Sequence, residues 1–238
     1  MQLHTGTSGF QYKEWKGNFY PEKIRDAEML GYYAERMDAV EINSTFYRMP
    51  RSAVMKSWAS EVRDGFRFVI KASQRITHRA RLKDCEETLG YLWGSIRHLE
   101  SHLGPVLFQL PPNFRADPER LRTFLSTVPT EIHSVLEFRH ESWNSAEIDE
   151  VLRDCGATRC ATDSEDEDGD SIVLTPTSKI GFARLRREQY SEHDLDDFVE
   201  RLAEQPWEEA FVFFKHEEAG AAADLAMRLR AKFEEHTS

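Results

Sequence analysis

Eight short apolar runs punctuate the sequence, and stretches of helical spacing separate most of them. They are Leu3 to Phe10, the start of "AVEINSTFYRMP" (Ala39 to Pro50), Phe66 to Ser73, Gly104 to Pro112, His133 to His140, Thr158 to Asp163, Gly181 to Arg186 and Glu209 to Glu217. Runs of this length read as buried strands, and strands alternating with helices predict an α/β chain with a parallel sheet. A count of eight favours the closed TIM (β/α)8 barrel over an open doubly wound sheet. Irregularity is expected around strands 6–7, where the connection leaves little room for a full helix.

Local signals support the helices between the runs. Asp117 is a predicted N-cap with Pro118 at the first helical position. Gly156 closes the helix in "SAEIDEVLRDCG", and Ser191 caps the helix in "SEHDLDDFVERLAE". With no internal repeat and no low-complexity linker, residues 1–238 are expected to form one TIM-barrel domain.

The ends of the runs turn polar in a consistent way. Thr7 and Ser8 end the first, Glu41 and Asn43 the second, Lys71 the third and Gln109 the fourth. Glu137 and Arg139 end the fifth, Asp163 the sixth, Arg184 the seventh, and Lys215 with His216 the eighth. In this kind of barrel the C-terminal strand ends form the active-site mouth, so these side chains are expected to converge there. Glu41 and Asn43 share one face of their strand, and a carboxylate on a buried face requires a partner. Lys71, Arg139, Arg184 and Lys215 are the available cations.

Charge and composition narrow the function classes. Of 238 residues 40% are hydrophobic and 31% charged, with a net charge of −11. Such a field repels extended polyanions, so nucleic acid is a disfavoured partner, whereas a small anionic ligand in a locally basic pocket is compatible with it. Three cysteines without a CxxC pair fit a reducing compartment. "MQLHTGTSGF" carries no basic and apolar leader pattern, and no apolar run is long enough for a membrane span, so a cytoplasmic protein is expected. Oligomeric state has no signal in the sequence.

Several motifs fail on inspection. "SEDEDGD" (Ser164 to Asp170) resembles a calcium loop, but Thr175 stands where the bidentate glutamate is required. No HExxH or zinc-type cluster, no nucleotide-cofactor fingerprint and no GxSxG elbow is present, so neither metal nor cofactor is expected. Aromatics follow several strands, namely Trp15, Tyr20, Phe46, Tyr47, Trp143 and Tyr190. Aromatics at a mouth can stack a sugar or a base, and Trp143 is the leading candidate.

Taken together, "TSGFQYKEWKGNFYP", "VEINSTFYRMP", "FRFVIKAS", "ITH", "LFQLPPNF" and "EFRHESW" resemble the YecE-like family, domain of unknown function 72. The resemblance runs nearly the whole chain in order, and implies a TIM barrel. It also implies a site built from Glu41, Asn43, Thr45, Tyr47, Lys71, His78, Gln109, Glu137, Arg139 and Trp143, with Asp163 and Arg184 on later strands. One departure stands out. Where many relatives carry His-Gly after the seventh strand, this chain has Arg186 and Arg187.

The expected activity is hydrolase- or lyase-type chemistry on an anionic small molecule or sugar phosphate. Glu41, Lys71, Glu137 and Asp163 are the catalytic candidates. Asn43, Tyr47, His78, Gln109, Arg139, Trp143, Arg184 and Lys215 are the substrate-binding candidates. The alternative is a non-catalytic or phosphodiester-directed protein that binds nucleic acid or a phospho-ligand.

Overall fold

The computed structural model describes residues 1–163, 172–215 and 220–237. Among the described residues nine strands lie in one sheet: β1 (Gln2–Ser8), β2 (Ala39–Ile42), β3 (Arg67–Lys71), β4 (Leu103–Gln109), β5 (Ser134–Glu137), β6 (Thr158–Arg159), β7 (Ala161–Thr162), β8 (Ile180–Leu185) and β9 (Glu209–Phe214). All pairings are parallel, and the first strand pairs with both β2 and β9. The sheet therefore curls into a TIM-like barrel with one seam.

The seam falls inside the sixth apolar run, which splits at Cys160 into β6 and β7. The first half pairs with β5 and the second with β8, so one short stave serves both flanks. Side chains seal its lower end. The Thr158 hydroxyl donates to the Ile180 carbonyl at 2.9 Å, and the Arg159 N–H donates to the Thr177 hydroxyl at 2.9 Å. The acidic stretch Ser164 to Asp170 and His216 lie outside the described residues.

Helices α1 (Met29–Ala34), α2 (Ser44–Tyr47), α3 (Ser52–Glu61), α4 (Glu86–Ile96), α5 (Pro118–Thr127), α6 (Ala146–Asp154), α7 (Glu192–Ala203) and α8 (Ala221–Thr237) fill the connections. The caps follow the sequence signals. Asp117 accepts from the Arg120 N–H and Ser191 from the Asp194 N–H, while Gly156 takes a positive φ of 64° just past α6. Buried apolar faces of α4 to α8 pack on the outer face of the barrel. Close approach constrains β1 and β2, since a Cβ on Gly6 would lie 1.9 Å from the Ala39 carbonyl oxygen.

The barrel interior is layered because side chains alternate along each strand. Ala39, Val69, Leu107, Val135, Phe182, Phe211 and Phe213 form an inner apolar cluster. Two residues further along five of these strands, on the same face, stand Glu41, Lys71, Gln109, Glu137 and Arg184. The apolar layer is thus the floor beneath a polar one. Among the described residues no helix is long and apolar enough to cross a membrane.

Candidate functional site at the barrel mouth

Arg184 organises the polar layer. Its side chain is 2% exposed, and its guanidinium splits between two carboxylates that are fully buried or nearly so. Nη1 donates to Glu137 Oε2 at 2.5 Å and Nη2 to Glu41 Oε1 at 2.8 Å. Removing three charges from water is costly unless each is paired. The surrounding strand ends add to that pairing: Ser8 Oγ and Asn43 Nδ2 each donate to Glu41 Oε1 at 2.9 Å. Gln109 Nε2 donates to Glu137 Oε1 at 2.7 Å, and Arg139 Nε donates to the same oxygen at 3.1 Å.

The sharing is uneven. Glu41 Oε1 accepts three bonds, whereas its buried Oε2 and the Nε of Arg184 have no hydrogen-bond partner among the described residues. Burial pushes the Glu137 carboxyl up, but Arg184 and Arg139 overcome it and hold the group at about 2. Burial works against the Arg184 charge too, and Glu41 and Glu137 reverse the effect, raising its pKa. Glu137 is therefore ionised at neutral pH. Glu137, one of the expected catalytic residues, is thus held as an anion by its partners.

Lys71 contrasts with this. It is half-buried at the end of β3, and its Nζ lies 4.6 Å from the centroid of the Phe46 ring. No carboxylate lies within ion-pair distance of it among the described residues. Burial and then the Arg184 charge lower its pKa to about 8, although Glu41 and Glu137 oppose them. Phe46 also meets the His78 ring edge-on at 4.9 Å. His78 is held at Nδ1 by the Thr77 hydroxyl at 2.9 Å, and burial followed by the nearby Lys71 lowers its pKa.

The loop carrying His78 is unusual. Arg75–Arg79 form a π-helical turn, and Arg81, Leu82 and Asp84 then take positive φ values of 51°, 65° and 50°. Each non-glycine residue in this region costs on the order of 1 kcal/mol or more. Buried Leu82 and Cys85 anchor the loop, and Arg81 reaches Asn113 Oδ1 at 3.2 Å. π-Turns and such backbone outliers concentrate where a site needs a particular side-chain direction.

Across the mouth lies a cleft of about 490 Å³, lined by Glu137, Arg139, His140, Asn144, Thr162 and Arg186 among others. Arg186 thus faces the same space as Arg139. Around Glu41 and Glu137 the polar layer carries Arg184, Arg139 and Lys71, three cations to two carboxylates.

Other expected residues are placed elsewhere. Trp143 is fully buried, stacked on Phe138 at 4.7 Å, with its Nε1 donating to the Phe114 carbonyl at 2.6 Å. Its ring supports the loop after β5 and has no open face for a ligand, a correction to the stacking role. Asp163 also turns away from the other carboxylates. It accepts from the Tyr190 hydroxyl and from the Arg186 N–H, locking the loop after β8 and lining a separate cavity of about 180 Å³. Lys215 is exposed beyond β9, and its backbone N–H bonds the Leu185 carbonyl at 2.9 Å. Thr45 ties α2 to β3 through the Lys71 carbonyl at 2.7 Å. Tyr47 is 76% exposed beside Phe46.

Sequence reasoning gave too little weight to Ser8, Phe46, His140 and Asn144. Ser8 ends a strand and His140 stands inside "EFRHESW", so both carried a positional signal. Asn144 carried none. Among the described residues, no group of three or more His, Cys, Asp or Glu is arranged to hold a metal ion.

Comparison with known proteins places this architecture. The chain is 32% identical over 114 residues to the UPF0759 protein YecE of Escherichia coli, covering 47% of this chain and 41% of that protein. The matched stretch thus spans less than half of that relative. The chain is also 25% identical to the UPF0759 protein YunF of Bacillus subtilis, covering 87% of each. A solved DUF72 family protein from Thermotoga maritima superposes with a TM-score of 0.87 at 27% identity, covering 98% of this chain and 100% of that one. A second, from Enterococcus faecalis, shares the fold with a TM-score of 0.79 at 18% identity, covering 98% of each. The family model described as "Protein of unknown function DUF72" matches residues 4–238, and the chain belongs to that family.

Proposed function

We propose that the barrel mouth binds a small anionic substrate, with Lys71 as the group that exchanges protons with it. The observation that carries this is the division of the charges. Glu41 and Glu137 are committed to Arg184, while Lys71 has no carboxylate partner within ion-pair distance among the described residues. An anion placed between Lys71 and Arg139 would supply the missing partner. Hydrolase- or lyase-type chemistry then rests on Lys71, a lysine brought near neutrality by its surroundings, rather than on a carboxylate pair. Glu137 and Glu41 set the field, and Gln109 and Asn43 hold them in place. The protein works in the cytoplasm as a single barrel domain.

Calorimetric titration with inorganic phosphate at low salt tests the proposal. Wild-type protein should bind, and Arg139→Ala or Lys71→Gln should weaken binding roughly tenfold. Absence of phosphate binding at low salt counts against an anion site. Tyr47, 76% exposed beside the mouth, favours a second reading in which the ligand is a short phosphodiester strand with a stacked base. A salt-dependent gel shift with short single strands, lost in Tyr47→Ala, would favour that reading over the first.

A further inference from the structure

We propose that Lys71 forms a Schiff base with the carbonyl carbon of an anionic aldehyde or ketone, with His78 moving the protons. This deepens the anion-site proposal and rests on it. Carbonyl chemistry needs an amine that is neutral for part of the time, accessible from the mouth and not consumed by a salt bridge. Lys71 meets each requirement. It sits at the C-terminal end of β3, its Nζ lies over the Phe46 ring, and no carboxylate among the described residues pairs with it.

The charged groups that act on Lys71 come from several elements. Arg184 on β8 and Arg139 after β5 favour the neutral amine, whereas Glu41 on β2 and Glu137 on β5 favour the ammonium. Burial is the largest influence and, with the two arginines, outweighs the two carboxylates and leaves the amine at about 8, so a fraction is neutral at physiological pH. His78 meets the same Phe46 ring, and with Nδ1 engaged by Thr77 it has Nε2 to exchange a proton.

The step balances without a cofactor. The neutral Nζ attacks the carbonyl carbon, a C–N bond forms, and the C=O electron pair moves to oxygen, which takes the proton given up by the now-cationic nitrogen. The resulting carbinolamine loses its hydroxyl as water with a second proton delivered through His78. A protonated imine remains, with no net oxidation or reduction. The substrate's carboxylate or phosphate would meet Arg139, and the imine would then act as electron sink for cleavage or proton loss at the neighbouring carbon. That outcome places the reaction in the lyase rather than the hydrolase class.

Borohydride trapping tests this with the protein as it stands. Wild-type protein is incubated with glyoxylate, reduced, digested and mapped by mass spectrometry, lysine by lysine, from pH 6 to pH 11. Lys71 should carry roughly tenfold or more of the label found on any exposed lysine at pH 7. Its labelling should level off above pH 8, while exposed lysines go on rising beyond pH 10. His78→Gln should slow labelling of Lys71 and spare the other lysines. Labelling of Lys71 no greater than that of exposed lysines, or with their pH profile, overturns the Schiff base. If phosphate still binds in that case, the anion site stands alone; if phosphate binding also fails, both proposals fall.

Discussion

Two cations stand in the same polar layer on opposite sides of the barrel, Arg184 on β8 and Lys71 on β3, and their surroundings differ. The arginine is forked between two buried carboxylates, which keep it charged. The lysine has an aromatic ring beneath it and a pKa lowered to about 8. The difference separates two uses of buried charge. One cation braces the barrel across its seam, joining β8 to β5 and β2, where β6 and β7 give only two-residue pairings. The other is partly desolvated with no carboxylate at ion-pair distance among the described residues, an arrangement that costs stability.

Breaking the brace should have the largest effect. Arg184→Met leaves two carboxylates buried without their cation and should cost about 3–5 kcal/mol in urea denaturation. A loss below about 1 kcal/mol would remove the distinction between the two sides.

Next comes the acid limb of the stability curve. Glu137 has a folded pKa of about 2 against an ordinary 4.5, so its contribution is present above 4.5 and is lost as pH falls toward 2. The span is worth roughly 3 kcal/mol. Glu137→Gln should flatten that limb, and an unchanged limb would show that the carboxylate is not held by Arg184 as described.

The lysine side should respond with the opposite sign. Below pH 8 the folded protein carries the full penalty of a half-buried ammonium. Between about 8 and 10.5 the unfolded state binds more protons, so stability rises with pH there. Lys71→Met should therefore stabilise the protein at pH 7 by about 1–2 kcal/mol and remove that rise, while weakening phosphate binding roughly tenfold. A destabilised Lys71→Met variant would make Lys71 a second brace. Smallest of all, Tyr47→Ala should change stability by no more than about 0.5 kcal/mol, since its ring is mostly in water.

Much of this layering was legible in the sequence because strand faces alternate with period two. Val69 and Lys71, Leu107 and Gln109, Val135 and Glu137 each read as a core residue followed by a polar one on the same face. Capping residues Asp117 and Ser191 were legible for the same local reason. Pairing was not. Glu41 and Arg184 meet across 143 positions, and nothing local tells which of several cations takes which carboxylate. Trp143 looked like a mouth aromatic because it follows a strand, yet the loop folds back and buries it. Asp163 looked convergent because it ends an apolar run, but that run breaks at Cys160, and Asp163 binds Tyr190 instead.

In the proposed site Lys71 is a desolvated cation, without a carboxylate partner among the described residues, that awaits an anion. Carbon-13 NMR of the lysine Cε, assigned with Lys71→Arg, measures this directly by titration with and without inorganic phosphate. The midpoint should lie near 8 and move upward when phosphate binds. A midpoint near 10.4, the ordinary lysine value, that phosphate leaves unchanged would contradict it.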